Sequence, residues 1–195
     1  MPYVGHTIHS DLSGRISPPS LGGANYYLKL TDDYSQFKMV YIIKNKSETF
    51  DAIKHFLNEV EQKHGTKVKI LVNNNGGEYL SRQLQNLLEE NGIKMILTAP
   101  YSPQQNPISE RGNQTTSEKA RALLHKSKLT PYFWGDAVMT SVFIENITLS
   151  PYNNNQVLYH TWHKTKFDLK RLRTFGWLCY VNIPKILWPG KFSKT

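Results

Sequence analysis

In residues 67–84, KVKILVNNNGGEYLSRQL, the alternating apolar positions Val68, Ile70 and Val72 stop abruptly at Asn73-Asn74-Asn75-Gly76-Gly77, and Glu78 and a leucine-spaced segment follow. The pattern predicts strand, turn, helix, with the turn at the carboxyl end of a strand, where α/β proteins gather their chemistry. A carboxylate is the natural resident of such a turn when divalent ions are to be held. Magnesium takes hard oxygen ligands, and two divalent ions close together need several formal negative charges to offset their repulsion. The turn carries neutral amides instead, whose oxygens ligate weakly and bring no charge.

Charge supplies a second chemistry. Residues 164–195 hold eight basic side chains (Lys164, Lys166, Lys170, Arg171, Arg173, Lys185, Lys191, Lys194) against one acid, Asp168, which makes +7 of a total of +9. Trp162, Phe167, Phe175, Trp177 and Tyr180 are interleaved with them. Basic and aromatic residues together suit a polyanion, although a solvated basic surface without a ligand reads equally well from charge alone. The single cysteine, Cys179, excludes an internal disulfide and a four-ligand zinc site built on cysteine, and it is read as a small buried hydrophobe. The pair His160 and His163 is given no metal role.

These residues must be positioned by one domain with a possible appendage, since the chain has 195 residues and 39% hydrophobic content. It has no apolar run of membrane-spanning length, and the start MPYVGHTIHSDL lacks the build of a secretory signal. The expectation is an intracellular protein of cytoplasm and nucleus, with no membrane partner. Residues 7–12, 25–31 and 37–43 read as a meander of strands between Gly, Pro and Ser punctuation. The period then changes. Ser47 is a candidate N-cap, and Phe50, Ile53, Phe56, Leu57 and Val60 recur at helical spacing up to Gly65. A strand at 67–73 is followed by a helix with Leu80, Leu84, Leu87 and Leu88 on one face, closed by Asn91-Gly92, and by a strand at 94–98. Asn106-Pro107 opens a helix to about His125, and Thr130-Pro131 another with Trp134, Ala137, Val138, Ser141 and Val142 on one face.

That order defines an α/β, ribonuclease-H-like fold: a mixed five-stranded sheet flanked by helices, here with a small basic C-terminal appendage. The domains are expected at 1–149 for the core and 150–195 for a linker and truncated basic module. Metal-dependent nucleic-acid enzymes with this order draw carboxylates from the first strand, the end of the fourth strand and a later helix. The residues at those places are Asp11, Asn74 and Glu110, with 35 residues between the last two.

The motifs HSDLSG (9–14), TDDYS (31–35), NNGGEY (74–79), PYSPQQN (100–106), SER (109–111), FWGDAV (133–138), LRTFG (172–176) and YVNIP (180–184) sit in register along nearly the whole chain. Together they resemble the integrase of copia-type LTR retrotransposons, in a yeast-like and degenerate copy. The resemblance implies an Asp, Asp, Glu triad holding two Mg²⁺ (or Mn²⁺) ions, which activate the attacking hydroxyl and stabilise the leaving oxygen of a phosphodiester. Asp11 matches the first Asp and Glu110 the Glu; the second Asp is Asn74, so metal binding is expected to be weak or lost. DNA is the implied partner, with a homo-oligomer as in integrases. Arg111, Lys119, Arg121, Lys164, Lys166, Lys170, Arg171 and Arg173 are the implied nucleic-acid contacts. Glu78 belongs to the family's GGEY pattern and is read as a structural or DNA-side residue; Asp32 and Asp33 belong to its TDD pattern and are read as structural.

Other departures accompany Asn74. Pro107 replaces a Gly, and Gly112, Asn113 and Gln114 stand in a stretch where the family tends to be basic. Gly112 weakens its helix by about 1 kcal/mol relative to Ala. Trp177 occupies the usual Cys of FGC, and Lys164 and Phe167 replace a Gly and a Pro. The upstream zinc module of such integrases is not in this stretch, which ends inside the basic module. Three readings follow: an impaired integrase core, an active integrase that tolerates Asn74, and a domesticated nucleic-acid-binding protein that keeps the fold without the chemistry.

Overall fold

The computed structural model describes residues 2–74, 76–97, 107–150 and 155–180, without the side chains of Glu78, residues 107–111 and Ser150. Strands β1 (Thr7–Leu12), β2 (Tyr26–Asp32) and β3 (Lys38–Ile43) form the meander. Helix α1 (Thr49–His64) crosses to β4 (Ile70–Asn73), and α2 (Arg82–Glu90) crosses to β5 (Lys94–Leu97). They make one mixed sheet in the order β3-β2-β1-β4-β5, with β1, β2 and β3 antiparallel and β4 and β5 parallel to β1. Helices α3 (Pro107–Ser127) and α4 (Trp134–Ile147) follow, then a ribbon of β6 (Leu149–Ser150) and β7 (Gln156–Val157), and α5 (Leu158–His163). The mixed five-stranded sheet expected from the sequence is therefore present. Among the described residues no helix is long and apolar enough to cross a membrane.

Period-two alternation sends neighbouring side chains of a strand to opposite faces, so one sheet builds two cores. On one face Ile8, Leu28 and Leu30 pack with Ile53, Phe56 and Val60 of α1 and Leu84 and Leu88 of α2. On the other, Tyr27 packs with Ala120 of α3 and Trp134, Ala137 and Val138 of α4. Trp134 is structural: it is buried, and its indole N–H donates to the Pro18 carbonyl at 3.1 Å.

Local caps depart from the sequence reading in two places. The turn before α1 starts at Asn45 rather than Ser47, because the Glu48 carboxylate reaches back to accept from the N–H groups of Lys44 (3.2 Å) and Asn45 (3.1 Å). Leu80 lies in a short 3-10 turn, half exposed, rather than on the apolar face of α2; that helix starts one residue after Ser81, whose hydroxyl accepts from Leu84 N–H. The cap at Asn106 and the PYSPQQN motif lie outside the described residues.

Beyond position 149, α5 contributes Leu158 and Trp162 to the first core. Trp162 is therefore unavailable to a ligand, contrary to its place among the interleaved aromatics. At this corner the Lys63 ammonium donates to His163 Nδ1 at 2.7 Å. Burial, with the charges of Lys63 and His64 adding to it, holds His163 down at about 4, and burial lowers His64 as well. Both folded-state values lie below the unfolded value of about 6.5, so on acidification the unfolded chain takes up protons first. Their contribution to stability is complete above about pH 6.5 and declines as the pH falls towards 4. Melting temperature should drop across that window, and His163→Gln should flatten the drop; an unaltered pH profile in the variant would remove His163 as a cause.

Candidate active site

Parallel pairing of β1 with β4 aligns His9 with Val72, and so brings the ends of the two strands together. Asp11, 8% exposed, stands there beside Asn74. The Asn74 amide donates through Nδ2 to Asp11 Oδ1 at 3.0 Å. From α3, Asn113 donates through Nδ2 to the other oxygen, Asp11 Oδ2. An ionised carboxylate only accepts, so each amide must turn its NH₂ towards it. The turn bearing Asn74 is anchored one residue away from Asp11, where the fully buried Tyr79 hydroxyl and the Ser10 hydroxyl share a hydrogen bond of 2.7 Å. Glu110 lies on α3 one turn before Asn113, and its side chain is outside the described residues.

Lys29 completes the layer. It is the register partner of Asp11 on β2, only 1% exposed, and its Nζ has no hydrogen-bond partner among the described residues. Burial pulls its pKa down to about 7, with Lys38 acting in the same direction; Glu145 and, more weakly, Asp11 favour the charged form. Glu145, buried on α4, pairs with Lys38 at 3.0 Å and Lys119 at 3.3 Å. Lys119, expected as a nucleic-acid contact, is thus engaged by a carboxylate. Asp32 is buried as well, and accepts from Gly5 N–H and Ser35 N–H, both at 2.8 Å, which pins the turn between β2 and β3.

The chemistry of these donors can be set against what two divalent ions need. Asp11 already accepts an N–H on each oxygen, Asn74 presents hydrogen rather than a lone pair, and the buried Lys29 lies in the same layer. Among the described residues no group of three His, Cys, Asp or Glu gathers that could hold a metal. The described side chains, as arranged, do not fit a pair of Mg²⁺ or Mn²⁺ ions.

The basic residues fall elsewhere. Lys164, Lys166, Lys170, Arg171 and Arg173 are all exposed. Phe167 fixes their segment by edge-to-face contacts with Phe143 and Tyr159, each at 5.3 Å, and Gly176, at φ +80°, packs against Ser127. Arg173 is curled back, donating to the carbonyls of Lys170 (2.7 Å) and Leu172 (2.8 Å). Fourteen residues of α3 at 1.5 Å rise put Ser127 about 21 Å from Asn113, so this surface and Asp11 lie towards opposite ends of one helix. Arg121 is exposed between them, and the Arg111 side chain is outside the described residues. Trp177 and Tyr180 are exposed; so is Cys179, contrary to the expectation of burial, because residues 177–180 lie on the surface beyond Phe175, the last side chain of this segment packed against the second core among the described residues.

Sequence reasoning missed Lys29, Asn113 and Tyr79. The available signals were a lysine between leucines in a central strand and a polar residue one helical turn beyond Glu110.

The Integrase core domain family matches residues 4–103, and the chain belongs to that family. It is 34% identical over 178 residues to the "Retrovirus-related Pol polyprotein from transposon TNT 1-94" of Nicotiana tabacum, covering 91% of this chain and 13% of that protein. It is 26% identical over 177 residues to the "Transposon Ty1-DR6 Gag-Pol polyprotein" of Saccharomyces cerevisiae, covering 90% of this chain and 10% of that one. The chain thus spans about a tenth of the length of these relatives. Among solved structures, the HTLV-2 integrase catalytic core domain, in complex with magnesium, superposes with a TM-score of 0.61 at 16% identity over 83% of this chain and 98% of that one. The simian T-cell lymphotropic virus intasome chain gives a TM-score of 0.66 at 16% identity over 94% of this chain and 61% of that one. These two establish the ribonuclease-H-like integrase core fold.

Proposed function

We propose that this chain is an integrase core that engages DNA and is impaired in phosphodiester transfer. The observation that carries the reading is the Asn74 N–H donated to Asp11 at 3.0 Å, at the position where the resemblance puts the second carboxylate of an integrase triad. An amide in that role removes a negative charge and adds a donor at the point where a cation would bind. Asp11 lies on β1 and Glu110 on α3, the elements from which the resemblance draws the first and third carboxylates, which supports a defect confined to position 74. The exposed basic strap at residues 164–173 supports DNA as the partner. The family resemblance supports a homo-oligomer.

Asn74→Asp restores the missing charge at almost constant volume. A ligand that binds only the native state stabilises it by RT ln(1 + [L]/Kd), so a site made tenfold tighter adds up to about 1.4 kcal/mol at saturating metal. Little shift of melting temperature is expected when Mn²⁺ is added to the unmodified chain, and a clear one with Asn74→Asp, abolished again by Asp11→Asn. Metal-dependent DNA strand cleavage is the second measurement. If the unmodified chain already cuts or joins DNA at a rate comparable with Asn74→Asp, the impaired reading is wrong and the active-integrase reading replaces it.

A further inference from the structure

The buried ammonium of Lys29 has no use in the reading above, and the glycine that faces it has no cap or turn to make. The two fit each other. Gly112 sits in the interior of α3, where glycine weakens a helix. A Cβ built there would stand 2.8 Å from Lys29 Nζ and 3.7 Å from Cε, inside the space the lysine occupies. The next residue, Asn113, donates to Asp11, and Asp11 is the register partner of Lys29. The Nζ end therefore lies under α3, the helix whose Asn113 donates to Asp11, at 1% exposure and, among the described residues, without a hydrogen-bond acceptor. Asn113 Oδ1, in the same layer, is also buried without a partner among the described residues.

We propose that Lys29 is the resident cation of the Asp11 site, lodged in the space that Gly112 leaves beneath α3, and that it opposes the entry of divalent metal there. The proposal rests on the integrase-type reading of Asp11 and Asn74. A protonated lysine in the same layer as a carboxylate supplies part of the field a metal would supply, and repels a second cation arriving at the same oxygens. Asn74→Asp is accordingly only a partial repair. The new carboxylate faces an ammonium as well as the metal, and the site becomes a good divalent site only when the lysine is removed too.

The probe is Mn²⁺ alone, titrated at about pH 6, below the value of about 7 to which burial lowers Lys29, into the full chain and followed by the electron paramagnetic resonance signal of the free ion. Lys29→Met keeps the length of the buried stem without the charge; Lys29→Thr is the shorter alternative if the methionine fails to fold. Asn74→Asp with Lys29→Met should bind Mn²⁺ at least about tenfold tighter than Asn74→Asp alone. Equal affinities would overturn the role of Lys29 while leaving the Asn74 reading intact, and absence of binding by both variants would overturn the two together. The fit of Lys29 to Gly112 has its own readout, independent of metal. Gly112→Ala should lower the melting temperature of the unmodified chain, because the methyl meets the ammonium, and raise it in the Lys29→Thr background, where helix propensity alone remains. The same sign in both backgrounds would show that Lys29 does not need the space at Gly112, and the proposal would fall.

Discussion

Trp162→Ala is expected to cost about 3–5 kcal/mol, a large share of the roughly 5–15 kcal/mol that holds a domain of this size together. The indole is 1% exposed, stacked on Phe37 with centroids 4.9 Å apart and planes 9° from parallel. Phe56 lies at 6.3 Å and His64 meets it edge-on at 4.6 Å. Truncation leaves a cavity between the first core and α5 that rigid strands cannot fill, so both the transfer and the cavity contributions are lost. Urea denaturation should show the midpoint falling sharply, or no folded baseline at all. Trp177→Ala, by contrast, removes an indole that is 67% exposed and should stay within about 0.5 kcal/mol of the unmodified chain. A Trp162→Ala midpoint equal to that of Trp177→Ala would mean that α5 is not part of the core.

The second large effect is on DNA affinity. If the basic strap and its neighbours neutralise around five phosphates, the logarithm of the duplex binding constant should fall with the logarithm of salt at a slope of about −4 to −5. Replacing Lys166, Lys170 and Arg171 by Gln removes three exposed cations without touching Phe167, whose rings hold the strap in place. Each lost phosphate contact reduces the slope by about 0.9, so the triple variant should lose roughly 2.7 of it. Put as affinity, the penalty for raising salt from about 50 to about 200 mM should shrink by roughly 40-fold. Arg173 is a poorer target, because its guanidinium already donates to two carbonyls. Binding isotherms at four salt concentrations decide the matter: a triple variant with the slope of the unmodified chain would place the DNA contact elsewhere, with Arg121 on α3 as the next surface to test.

The sequence determined the element order and which strand face is apolar, because both follow from local periodicity. The switch from period two at 37–43 to helical spacing at Phe50, Ile53, Phe56 and Val60 marks β3 giving way to α1, and the five-stranded sheet follows from the order. It also determined that position 74 lacks a carboxylate, since the identity of a residue needs no folding to be read. The tertiary structure alone decided what replaces the missing charge. Asn74 and Asn113 are 39 positions apart, yet both donate to Asp11, and that convergence depends on the register of β1 with β4 and the packing of α3 on β1. Lys29 reads in sequence as one more basic residue of a polar chain. Only alternation within a buried strand, together with a helix close enough for Gly112 to face it, turns it into an enclosed cation. Trp162 shows the same division from the other side. The lysines that follow it, Lys164 and Lys166, are basic and exposed, so composition assigns it to a ligand surface. The stack on Phe37, 125 residues away along the chain, puts it in the core, because burial is settled by contacts between distant segments that no local pattern records.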